Sequence, residues 1–201
     1  ESGYDLLLSL VPDEKELSAY NDLAARDAVD GVIIHTPKED DKRLKRLNEL
    51  NLPFVVHGRS TKSSEIYNWV DVNNESAFFR ATEFLIDLGH RSIALVNGMA
   101  DLDFAIRRTK GYKRALLKHQ IDVVSDYILY GEMTEPYGYR STIALLDRSI
   151  PPTAIIASSI LVANGVRRGI EERGLKMGRD ISILSHDDDL SYFRDESNVP
   201  V

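Results

Sequence analysis

The sequence predicts an α/β protein with two doubly wound lobes, each built on a parallel sheet. Three observations predict it. Short, largely apolar runs recur along the chain, several of them rich in β-branched residues. The stretches between them space their apolar residues three and four apart, and glycines stand where those stretches should stop. Strand–helix–strand repetition at this interval implies right-handed crossovers, which wind helices onto the sheet.

The elements follow in order. Leu6-Leu7-Leu8 is the first apolar run, expected as a strand, and Leu17, Tyr20, Leu23 and Ala24 continue with helical spacing. Val32-Ile33-Ile34 and Phe54-Val55-Val56 are the next strands, with a helix through Leu44, Leu47 and Leu50 between them. The basic run Lys42 to Arg46 lies on that helix among acidic neighbours and reads as a solvated face. Phe78, Ala81, Phe84, Leu85 and Leu88 predict a further helix, closed by Gly89. Ile93-Ala94-Leu95-Val96 is then a strand, and Arg107-Arg108 occupy the first turns of the next helix. Ala154 to Ala157 and Ile181 to Leu184 are the last two strands, separated by a helix that runs to Ile170 and stops at Gly174. Runs apolar throughout, rather than alternating, suit strands buried on both faces. A second series of βα units opens around Gly89-His90-Arg91, so the expected lobes are residues 1–72 and 73–201.

Composition narrows the function. Hydrophobic residues make up 43% of the 201 and charged ones 28%, enough for a substantial core. No apolar window is long enough to cross a bilayer, and no basic-then-apolar export signal is present. The absence of cysteine excludes disulfides, thiolate metal sites and a cysteine nucleophile. Acidic residues outnumber basic ones, 32 to 25, for a formal charge of -7, so nucleic acid is not this segment's own ligand.

In doubly wound sheets ligands bind beyond the carboxyl ends of strands, and polar residues gather in those loops here. His35, His57 and His186 each directly follow an expected strand, whereas His90 lies at the opposite end and reads as structural; His119 lies near a helix end and reads as solvated. Asp187-Asp188-Asp189 suggests a metal or a carboxylate pair, but adjacent residues of an extended segment point to opposite faces and cannot converge on one ion. One carboxylate accepting ligand hydroxyls fits better. Ser158-Ser159 has no flanking glycines for a nucleophile elbow; one serine is expected to cap the next helix, and the other is a pocket candidate. Neither G-x-G-x-x-G nor a P-loop occurs, which argues against nucleotide enzymes. Arg108 offers a rigid fork of donors for vicinal hydroxyls or a carboxylate, and Phe104 and Met133 offer apolar walls. No positioned acid–base pair or nucleophile is found, so no enzyme, cofactor or metal is expected.

Val72-Asn73-Asn74, Leu85-Ile86-x-Leu88-Gly89-His90-Arg91-Ser92-Ile93-Ala94, Gly98 and Arg108-x-x-Gly111-Tyr112-x-x-Ala115-Leu116 resemble the lactose/galactose-repressor (LacI/GalR) family. Flanking segments, such as Asp30 to Ile34 and Gly178-x-Asp180-Ile181-Ser182-Ile183, agree along essentially the whole chain. The resemblance implies a periplasmic-binding-protein-like (type I) core of two lobes hinged around a sugar or related effector. Effector binding then controls the grip on operator DNA of a separate N-terminal helix-turn-helix head. It also implies an incomplete core: the first strand and helix and the final crossover fall outside the chain, as does the head. By the same resemblance Arg108 grips the effector, Asp187 accepts from it, His35 and Ser158 are polar pocket residues, and Phe104 and Met133 line its apolar faces. Departures lie at strand ends: Asn73 for an aspartate, His186 for a tyrosine, Gly58 for an aspartate that His57 compensates, and Ser158-Ser159 for Asn-Asp. A cytoplasmic homodimer is implied, and Arg108→Ala is expected to abolish binding with the fold intact. The alternative is a periplasmic sugar-binding protein of a transport system.

Overall fold

The computed structural model describes residue 3 and residues 5–187. Two compact units divide the chain between Val72 and Asn73.

The first unit holds helix α1 (Asp13–Ala25), strand β1 (Val32–His35), helix α2 (Lys42–Glu49) and strands β2 (Phe54–His57) and β3 (Asn68–Val70). Its sheet runs β1-β2-β3 and is parallel, with Val32 opposite Phe54 and His35 opposite His57. Ile34 and Val56 point to one face, where Leu44, Leu47, Leu52 and Tyr20 complete a core. Asp41 starts α2 by accepting the Arg43 N–H at 3.0 Å, relieving one of the unpaired donors of the first turn.

Two expectations change here. Leu6, Leu7 and Leu8 form no strand and are 87%, 59% and 77% exposed. A strand needs a ladder partner, and among the described residues β1 pairs with β2 alone, so composition without a partner leaves the run unpaired. The basic run is only partly a solvated face. Arg43 is largely buried between Asp41 (2.7 Å) and Glu16 (3.1 Å), and Arg46 reaches Asn21 at 2.8 Å, so two arginines of α2 fasten it to α1.

The second unit comprises α3 (Asn74–Asp87), β4 (Ile93–Asn97), α4 (Asp103–Lys118), β5 (Ile128–Tyr130), α5 (Glu135–Leu146), β6 (Ala154–Ala157), α6 (Ile160–Glu172) and β7 (Ser182–Ser185). The sheet order is β5-β4-β6-β7, all parallel. Alternation within the strands builds both faces. Ile93, Leu95, Ala154 and Ile156 pack with Phe78, Leu85, Tyr112 and Leu116 of α3 and α4. Ala94, Val96, Ile155 and Ala157 pack with Leu145, Val162, Val166 and Ile170 of α5 and α6. Every residue of β4 and β6 is buried, which explains why these strands carry no polar alternation.

The buried stripe of α3 is Asn74, Phe78, Thr82, Leu85 and Ile86, whereas Phe84 and Leu88 face outward. The apolar pattern marks neither strand β3 nor helix α5, and β5 is implied only because Gly131 to Pro136 reads as a loop that follows a strand. Thr134 caps α5 by accepting the Tyr137 N–H, so a helix begins inside a stretch that reads as loop. His90 is structural: Nδ1 lies 2.9 Å from Thr153 Oγ1 and Nε2 2.9 Å from Ser182 Oγ, tying together the amino ends of β4, β6 and β7. No helix among the described residues is long and apolar enough to cross a membrane.

Candidate functional site

The carboxyl edge of the second sheet gathers six of the eight expected residues. Asn97 closes β4 and is fully buried; its Nδ2 donates to the Ala105 carbonyl (2.8 Å) and to Thr109 Oγ1 (3.0 Å), and its Oδ1 accepts the Gly98 N–H. That clamp sets the start of α4 beside the strand end. Gly98 is needed there, because a Cβ would stand 2.7 Å from the Phe104 ring and 3.6 Å from Met133 Sδ. Phe104 and Met133 therefore meet over one backbone position.

Arg107 and Arg108 diverge, as neighbours on a helix must. Arg107 pairs with the buried Asp103 one turn back. Arg108 is buried too, its Nε donating to Asn74 Oδ1 at 2.8 Å and its Nη1 to the Ser158 carbonyl at 2.9 Å. Its guanidinium lies 4.8 Å from the Phe78 ring centroid and 4.7 Å from that of Phe104. Two aromatic faces and two fixed acceptors hold the cation in one orientation. Asn74 and Phe78, four apart on α3, were not singled out as site residues; their shared helix face is the signal that places them together.

Ser158 ends β6, held by its N–H to the Val96 carbonyl (3.0 Å). Its hydroxyl is buried and has no hydrogen-bond partner among the described residues. Ser159 caps α6, accepting the Val162 N–H. The two serines thus divide between cap and buried hydroxyl. His186 follows β7, its N–H on the Ala157 carbonyl (3.1 Å) and its ring stacked on Phe78 with centroids 5.8 Å apart. Burial, then the positive charge of Arg108, lower its pKa to about 4, with Asp187 opposing, so the ring is neutral near pH 7. Asp187 is exposed and its Oδ1 accepts the Ile160 N–H at 3.2 Å, a carboxylate at the positive end of α6. Asp188 and Asp189 lie outside the described residues.

His35 and His57 belong to the first unit, at the carboxyl ends of β1 and β2. Their Nδ1 atoms are 3.3 Å apart and their rings meet edge to face at 5.2 Å. His119 is half-buried and its Nε2 sits 3.3 Å from Glu83, so it is paired rather than merely solvated.

Parallel sheets with apolar strands, and polar and aromatic side chains crowded at the carboxyl edge, define a doubly wound α/β class. Within it the chain belongs to the family of periplasmic binding proteins and LacI-type sugar-binding domains, which matches residues 1–194. The HTH-type transcriptional regulator AglR of Rhizobium meliloti (strain 1021) is 41% identical over 202 residues, covering 100% of this chain and 57% of that protein. A crystal structure of a LacI-type putative transcriptional regulator from Bacillus cereus subsp. cytotoxis NVH 391-98 has a TM-score of 0.86 at 30% identity, over 91% of this chain and 65% of that one. The transcriptional regulator CelR–cellobiose complex has a TM-score of 0.76 at 30% identity, over 84% of this chain and 52% of that one. The chain spans about half the length of the curated relatives it matches.

Proposed function

We propose that this chain is the effector-binding part of a LacI-type transcriptional repressor, and that its effector is a mono- or oligosaccharide. The observation that carries the proposal is the cluster at the carboxyl edge of the second sheet. A guanidinium fixed between two rings, a buried hydroxyl with no hydrogen-bond partner among the described residues and an exposed carboxylate stand together with the apolar surface of Phe104 and Met133. Donor, acceptor and apolar face are what a sugar ring presents its own groups to. Arg108, Asp187, Ser158, His186, Phe104 and Met133 are assigned to the effector on this reading, and His35 and His57 are proposed ligand contacts of the first unit. The CelR–cellobiose neighbour supports a saccharide.

The names of the relatives favour a regulator over a transport-binding protein. The role is binding without turnover, in the cytoplasm, by a homodimer whose separate helix-turn-helix heads read a pseudo-palindromic operator. The test is fluorescence anisotropy of the intact protein on labelled operator DNA during a saccharide titration. A saccharide that shifts operator affinity at least tenfold supports the proposal. Operator binding indifferent to every saccharide, or turnover of any of them, contradicts it.

A further inference from the structure

His35 and His57 sit opposite one another in the parallel register of β1 and β2. Side chains in register leave a sheet on the same side, and both histidines alternate away from the Ile34–Val56 core face. Their Nδ1 atoms are 3.3 Å apart, and both residues are exposed. Two imidazole nitrogens bound to one tetrahedral zinc, at about 2.0–2.1 Å each, stand about 3.3–3.4 Å apart, so the pair already has the bite of a chelate.

We propose that His35 and His57 form a two-imidazole site for a borderline divalent transition ion, of the zinc, nickel and copper class. It concerns the same pair proposed above as effector contacts, but it stands on the geometry of the first unit alone and holds whether or not these rings also touch the effector. The contact in the metal-free pair requires one ring to donate its Nδ1–H and the other to accept. Binding replaces that shared proton with the ion: the donating ring moves its proton to Nε2, and both Nδ1 lone pairs turn to the metal. The nearby guanidinium of Arg43, which donates to the His35 carbonyl, is matched by Asp41 and Glu16, so its charge is locally compensated. No third protein donor completes a set among the described residues, which leaves coordination positions for water or an added ligand. The site is therefore exchangeable, with copper(II) held most tightly of the three.

The test is calorimetric titration of the tag-free chain with zinc chloride, followed by copper(II) paramagnetic resonance. One ion per chain is expected, with two nitrogens in the copper spectrum. H35A and H57A should each weaken zinc binding at least about tenfold, since even loss of an outer-shell partner costs that much. H119A, which removes the ring beside Glu83, should leave it unchanged. Nuclear resonance of the wild type is a check independent of any variant: zinc should move the ring signals of His35 and His57 before those of His90, His119 and His186. No binding, binding undiminished in either single variant, or first movement at another histidine overturns the proposal.

Discussion

The Nε and Nη1 of Arg108 hold Asn74 and the Ser158 carbonyl, so this side chain is both part of the proposed effector contact and a brace between α3, α4 and β6. The sequence alone suggested that Arg108→Ala would leave the fold untouched; burial changes that. Removing the guanidinium deprives two buried acceptors of their donor, at about 1–3 kcal/mol. R108A is expected to lower stability in urea by that amount as well as to lose effector binding. Unchanged stability would show that the brace is not as described. Asp187→Asn is expected to differ: an asparagine can still accept the Ile160 N–H, so stability should hold while saccharide affinity falls. His186 supplies a pH test. The unfolded chain takes up a proton on this ring near 6.5 and the folded chain only near 4. Its contribution to stability is thus complete above pH 6.5 and is lost as pH falls through that window towards 4. H186Q should melt with a flatter pH dependence than the wild type between those values, and parallel curves would contradict it.

At the scale of elements, the two helix pairs of the second unit approach each other in the same way. A Cβ on Gly111 of α4 would lie 2.1 Å from the Glu75 carbonyl oxygen and 2.9 Å from the Phe79 nitrogen of α3. On Gly165 of α6 it would lie 2.0 Å from the Glu135 carbonyl and 2.6 Å from the Tyr139 nitrogen of α5. Backbone this close leaves nothing flexible to give way, so G111A is expected to cost about 3 kcal/mol, the upper end for overpacking. Urea unfolding checks it, and a cost under about 1 kcal/mol would mean that the helices separate easily. Gly111 stands three residues after Arg108, so the close crossing also sets where the guanidinium enters the site. The next residue, Tyr112, anchors the same helix through its hydroxyl on the Ile93 carbonyl at 2.7 Å, so the arginine, glycine and tyrosine of this segment act on one stretch of α4.

Across the whole molecule, what the sequence made legible was what local chemistry decides. Strands β4 and β6 were readable because burial on both faces demands unbroken apolar residues. Phe104, Arg108, Ser158, His186 and Asp187 are legible as candidates because they lie just past such strands or in the first turns of the helices after them, and their assignment to an effector is the proposal made above. Strand β3, with all three residues exposed, is not readable and the short β5 is implied only by the loop after it, since pairing and not pattern makes them strands. Leu6 to Leu8 failed for the converse reason, a strand-like pattern with no partner. Spacing puts Asn74 and Phe78 on one face of α3, but that this face meets Arg108 depends on packing between α3 and α4, which the sequence does not show.

The most direct test of the central claim is a thermal-shift titration of the intact protein against a panel of mono- and oligosaccharides, in parallel with its R108K variant. A ligand that binds only the folded state stabilises it by about 2.7 kcal/mol at a hundredfold excess over its dissociation constant. A saccharide is expected to raise the melting temperature of the wild type and not that of R108K, because lysine keeps the charge and loses the planar fork. Stabilisation of both proteins alike, or by no saccharide while a non-sugar ligand stabilises the wild type, would contradict the claim.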